Sequence, residues 1–173
     1  LTIASKIFFV LVDETVTNLR EELPGANCGA CGFAGCDDYA SALAADHSIG
    51  TARCPVGGAE VAKKLAAVLG VEADVAEKEV VVVMCNGNND AARTLMEYQG
   101  LSTSAAAKQL FGGLSACPHG CMGLGDCEAA CQYGAIKVCN GFAVVDREMC
   151  VGCCMCANAC PNNVIRISPE KNK

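Results

Sequence analysis

Twelve cysteines in three spaced groups constrain this chain more than any other feature of its 173 residues. The tightest group is Cys150, Cys153, Cys156, Cys160 and Pro161, spaced C-x2-C-x2-C-x3-C-P. Three cysteines this close wrap one corner of a cubane, while the fourth points away from it. Pro161 stops the helix-like turn from extending backward and carries no N–H in need of a partner. Two C-x2-C pairs can also hold zinc tetrahedrally. The crowded third cysteine and the trailing Cys-Pro favour a [4Fe–4S] cluster over that ion.

This spacing is the bacterial ferredoxin run, whose fourth cysteine ligates the other cluster when a domain holds two. A partner group lies upstream: Cys117, Cys121, Cys127 and Cys131, spaced C-x3-C-x5-C-x3-C, with Gln132 in place of the usual proline. Gly120, Gly123 and Gly125 supply the backbone freedom that so enlarged a loop needs. The two groups are halves of an internal repeat. CEAACQYGAIKV (residues 127–138) aligns with CANACPNNVIRI (residues 156–167) at an offset of 29. Crossed ligation then predicts Cys117, Cys121, Cys127 and Cys160 on one cluster, and Cys131, Cys150, Cys153 and Cys156 on the next.

A third group stands apart: Cys28, Cys31, Cys36 and Cys54, spaced C-x2-C-x4-C-x17-C among Gly25, Gly29, Gly32 and Gly35. Glycines there allow tight turns and let N–H groups face thiolate and sulfide. One C-x2-C with two distant cysteines is also a zinc pattern. The neighbouring two-cluster region tips this group toward a third [4Fe–4S] cluster.

Cys85, Cys139 and Cys154 are left over. Buried cysteine behaves as a small hydrophobe, and packing is the expected role of all three. Cys85, which ends a strand-like run, is also a candidate redox thiol or ligand. His119, between Cys117 and Cys121, could tune a cluster but is expected to be a loop residue. No nucleotide-binding glycine fingerprint and no nucleophile–base pair is present. A net charge of −6 disfavours a nucleic-acid-binding surface. Lys63, Lys64, Arg93 and Lys108 are expected to be solvated helix faces, with a docking patch for an acidic partner as the alternative.

The fold class expected is α+β: a small helical 4Fe-4S domain, an α/β connector and a two-cluster bacterial ferredoxin-like domain. Asp13 caps a helix running to about Leu23, and an alanine-rich helix ends near Ala45. Residues 59–69 carry helical periodicity, with Gly70 as the stop. Val80 to Met84 reads as a buried strand. Residues 89–99 and 103–111 read as two helices separated by Gly100. Asn140-Gly141 marks a hairpin turn. The boundaries are 1–12 for a linker or anchor end, 13–70, 71–112 and 113–168. Residues 1–12 (LTIASKIFFVLV) are apolar but too short to span a bilayer, which takes about 20 residues. They are either a buried strand or the stump of a membrane helix.

The runs ELPGANCGACGFAGC and RCPVGGAEVAKKLAAVLGVEA resemble the B subunit of the Rnf complex, as do GCMGLGDCEAAC and the ferredoxin run that follows it. The resemblance covers about residues 6–167, with the cysteine order matching throughout. It implies an electron-transfer subunit of an ion-translocating ferredoxin:NAD+ oxidoreductase, on the cytoplasmic side of the bacterial cytoplasmic membrane. Three [4Fe–4S] clusters would take electrons from soluble ferredoxin and pass them to the flavin- and NADH-binding subunit and the membrane subunits. Members of that family carry a single N-terminal membrane helix, so the resemblance assigns Leu1–Ser5 to the end of one. The first cysteine group also resembles carrier subunits of hydrogenases and corrinoid-linked methyl-transfer systems. A zinc-stabilised interaction module is the reading from a different class.

Overall fold

Asp13 opens the first helix in the computed structural model of the chain, which describes residues 13–75, 77–110 and 112–170. Its Oδ1 accepts the Thr15 N–H at 2.9 Å and caps α1 (Glu14–Glu22). The apolar start, residues 1–12, lies outside the described residues. The chain divides into two units, residues 1–76 and 77–173.

The first unit is helical. α2 (Cys36–Ala45) follows the glycine-rich loop, and a short 3-10 turn (Thr51–Arg53) precedes α3 (Gly58–Leu69). Gly70, at φ 68°, ends α3 in the left-handed conformation that a side chain would strain. The helices bury Leu19, Leu23, Tyr39, Leu43 and Leu65 in one core with Cys36 and Cys54. Thr51 and Asp74 exchange hydrogen bonds, the Thr51 N–H to Asp74 Oδ2 at 2.9 Å and the Asp74 N–H to Thr51 Oγ1 at 3.2 Å. That pair ties the segment after α3 to the 3-10 turn.

The second unit holds two antiparallel two-stranded sheets. β1 (Glu79–Val83) pairs with the last strand, β4 (Ile165–Pro169), with Val81 opposite Ile167. β2 (Ile136–Cys139) and β3 (Phe142–Val145) form the hairpin foreseen at Asn140-Gly141, whose φ values are 48° and 82°. Two positive φ values in a two-residue loop match the twist of the strands on either side. Among the described residues three short helices complete the unit: α4 (Ser104–Gln109), α5 (Asp126–Ala129) and α6 (Met155–Ala159). α5 and α6 begin 29 residues apart, as do β2 and β4, so the sequence repeat is also a structural one. Its core combines Val80, Val81, Ile136, Val164 and Ile165 with Cys127, Cys150 and Cys156.

Residues 89–99 are not a helix. Asn88 Oδ1 accepts the N–H groups of Asp90 and Ala91, at 3.1 and 2.8 Å, and this side-chain turn competes with a helical start. Further on, the backbone bonds are spent elsewhere. Leu95 N–H donates to Leu114 O and Ala116 N–H to Arg93 O, both at 2.8 Å, around a β-bridge between Thr94 and Ser115. The helix expected over 103–111 is present as α4. β1 falls within the stretch read as a connector, and its hydrogen bonds go to β4.

Candidate metal centres

In the first unit Cys28, Cys31, Cys36 and Cys54 line one cavity, with Leu23, Val56 and Tyr39 among their apolar neighbours. Tight turning brings the first two there: Gly29 and Gly32 have φ 72° and 89°, and Gly32 N–H donates to Gly29 O at 3.0 Å. Cys36 is the first residue of α2. Its own N–H donates to Asn27 Oδ1 at 2.8 Å. The 3-10 turn delivers Cys54, whose Sγ accepts the Gly57 N–H at 3.4 Å. Burial pushes the Cys54 thiol above its ordinary value. The Gly57 N–H works against that, and the neighbouring Cys36, Cys28 and Cys31 add to it.

Two cavities of the second unit are each lined by several cysteines. One is lined by Cys121, Cys127 and Cys160, with Gly120, Pro161 and Asn162. The other is lined by Cys131, Cys150, Cys153, Cys154 and Cys156, with Tyr133 and Ile136. The grouping crosses the repeat: Cys160 stands with the first copy and Cys131 with the second. Thiol electrostatics follow the same grouping, except that Cys127 also acts on Cys156 across the two cavities. Burial pushes Cys127 up to about 11, and Cys121 and Cys160 add to the rise. Burial pushes Cys156 up to about 12, with Cys153, Cys131, Cys150 and Cys127 contributing. A metal needs thiolates, so filling these cavities would release protons.

Cys117 is exposed and does not line the cavity of its expected partners. Its carbonyl accepts the Gly120 N–H at 3.2 Å and Ser115 Oγ at 3.0 Å. Among the described residues, no three His, Cys, Asp or Glu side chains converge on a point suited to one metal ion. His119 is exposed, as its loop reading anticipated.

Two of the three leftover cysteines depart from the packing role expected of them. Cys139 is exposed, because it ends β2 at the hairpin turn. Cys154, partly buried in a left-handed conformation at φ 61°, lines the cavity of Cys131, Cys150, Cys153 and Cys156. Its place inside the ferredoxin run was the available signal. Cys85 is partly buried against the core, as expected, but its Sγ also accepts the Cys121 N–H at 3.3 Å. Asn162 also went unnoticed in the sequence. Its only flag there was its place two residues after Cys160.

Two family models match the chain. One, described as "Putative Fe-S cluster", covers residues 23–56 and so all four cysteines of the first group. The other, a 4Fe-4S binding domain, covers residues 143–166 and the ferredoxin run. The chain is 42% identical over 174 residues to the B subunit of the Na(+)-translocating ferredoxin:NAD(+) oxidoreductase complex of Acetobacterium woodii, covering 98% of this chain and 51% of that protein. It is 42% identical over 154 residues to the B subunit of the ion-translocating oxidoreductase complex of Methanosarcina acetivorans, covering 88% and 58%. Against the B subunit of the proton-translocating ferredoxin:NAD(+) oxidoreductase complex of Clostridium ljungdahlii it is 37% identical over 150 residues, covering 86% and 53%. The chain thus spans about half the length of these curated relatives.

Proposed function

Since this chain belongs by homology with the B subunits of Rnf-type ion-translocating oxidoreductase complexes, we propose that it relays single electrons through three [4Fe–4S] clusters in such a complex. Cys28, Cys31, Cys36 and Cys54 hold the first. Cys117, Cys121, Cys127 and Cys160 hold the second, with Cys117 brought in from its exposed loop. Cys131, Cys150, Cys153 and Cys156 hold the third. The carrying observation is that each cavity gathers cysteines of one such set, crossed between the two repeats in the second unit, with Cys154 the one addition and Cys117 the one set member outside.

The clusters supply one-electron uptake and release when bound. The chain's own residues set the conditions for it. Apolar walls from Leu23, Val56, Ile136 and Val164 keep water from the cavities, and backbone N–H groups such as that of Gly57 reach ligand sulfur. No residue here is assigned a bond-making role. Soluble ferredoxin is the proposed donor. The flavin- and NADH-binding subunit and the membrane subunits are the proposed partners, at the cytoplasmic side of the membrane. Among the described residues no helix is long and apolar enough to cross a membrane.

Anaerobic reconstitution with iron and sulfide, counted per chain and followed by EPR of the reduced protein, tests this reading. Three clusters of four irons require twelve irons per chain. Cys31→Ser is expected to remove the first cluster's signal and leave those of the second unit intact. An eight-iron protein would demote the first group, and a colourless zinc protein would overturn the redox role.

A further inference from the structure

The peptide unit joining Gly120 to Cys121 is gripped at both ends by side chains remote in sequence. Its carbonyl accepts Asn162 Nδ2 at 2.6 Å, and its N–H, that of Cys121, donates to Cys85 Sγ at 3.3 Å. Cys85 Sγ also takes the Gly87 N–H at 3.5 Å, so two backbone donors fix the sulfur itself. Packing alone does not account for Asn162. Its Oδ1 is buried with no hydrogen-bond partner among the described residues, and a leucine of similar shape would remove that cost. What asparagine provides is the bond to Gly120 O. By the same reasoning alanine would fill much of the Cys85 site, and what the sulfur provides is the acceptor.

We propose that Cys85 and Asn162 are positioning residues that clamp the Gly120–Cys121 peptide and thereby set the reduction potential of the cluster ligated by Cys121. The inference rests on the ligand assignment above. A peptide unit is a strong dipole, positive at its N–H and negative at its carbonyl. Beside a cluster, an uncompensated N–H favours the added electron and an uncompensated carbonyl opposes it. Each clamp residue compensates one end. Removing the sulfur acceptor therefore frees the N–H and raises the potential. Removing the amide donor frees the carbonyl and lowers it.

These opposite signs separate a clamp from general loosening of the loop, which would move the potential the same way in both variants. The experiment is an EPR-monitored redox titration of the reconstituted full chain and its Cys85→Ala, Cys85→Ser and Asn162→Leu variants. The signal in question is the one that Cys121→Ser removes. Cys85→Ala is expected to shift that midpoint upward and Asn162→Leu downward, with twelve irons kept and the other two midpoints unmoved. Cys85→Ser keeps an acceptor atom and should fall between the parent and Cys85→Ala. Shifts of one sign, or no shift in either, would overturn the clamp. Loss of a cluster in both Cys85 variants would also overturn it, by making Cys85 a ligand. Absence from the unsubstituted protein of any signal that Cys121→Ser removes would instead overturn the ligand assignment, and this inference with it.

Discussion

Gly123 shows how closely the loop over the cavity of Cys121, Cys127 and Cys160 is fitted. It sits at φ 68°, and a Cβ there would run into the carbonyl of Gly141 at the hairpin turn. Both faults act together in Gly123→Ala, because the left-handed conformation alone costs ~1–3 kcal/mol for a non-glycine residue. The variant is expected to lose at least that much stability in the second unit while the first is unchanged. Urea unfolding followed by amide exchange in each unit measures this, and an equal loss in both would argue against the contact. The glycine's presence was readable, since an enlarged cysteine loop needs backbone freedom. The ligand candidates were readable too, because cluster binding demands one residue type at short, fixed separations. Cys85 and Asn162 carry no such mark. Their contacts to the Gly120–Cys121 peptide span 36 and 42 residues, and only tertiary structure brings them there.

Short elements in this chain depend on their ends. α4 has six residues, far below the length at which a helix holds in water unaided. Thr103 caps it through the Ala106 N–H at 3.2 Å, and Asp126 reaches across to accept the N–H groups of Ser104 and Ala105 at 2.7 and 3.0 Å. Asp126 is also the first residue of α5, next to Cys127, so one carboxylate joins α4 to the start of a cysteine-bearing helix. Replacing an N-terminal acceptor by alanine costs about 0.5–2 kcal/mol. Asp126→Ala should fall at the upper end of that range, because two donors lose their partner. Faster exchange of the Ser104–Gln109 amides with β1–β4 protection retained is the expected pattern, and unchanged exchange in α4 would refute it. Elements with local punctuation were legible: the Asp13 cap, the Gly70 stop and the Asn140-Gly141 turn all stand as read. Residues 89–99 were not, because apolar periodicity cannot reveal the Asn88 side-chain turn or the bonds to Leu114 and Arg93 that replace a helix.

Across the whole molecule the two units rest on differently built cores, and removal of iron should separate them. The first packs large side chains, Leu19, Leu23, Tyr39, Leu43 and Leu65, from helices of nine to twelve residues. Two of its four ligand candidates, Cys36 and Cys54, are fully in that core. The second packs smaller ones, Val80, Val81, Ala135, Ile136, Ala143, Val164 and Ile165, around Cys127, Cys150 and Cys156, with Cys121, Cys131 and Cys160 against them. Its α5 and α6 have four and five residues, and its sheets have two strands each. Two-stranded sheets and single-turn helices are marginal alone. A cluster ties several such pieces at once, in the way a structural metal supplies folding energy to a small domain. One effect works the other way. Stripped of iron at neutral pH, Cys127 and Cys156 are neutral thiols, since burial lifts them to about 11 and 12, and neutral thiols pack as small hydrophobes. That softens the loss without replacing the ties between elements. Anaerobic chelation is therefore expected to abolish amide protection in β1–β4 and β2–β3 while α1, α2 and α3 keep most of theirs. Hydrogen exchange on loaded and stripped protein reads this directly, and a first unit that opens as early as the second would show that its cluster carries its fold as well.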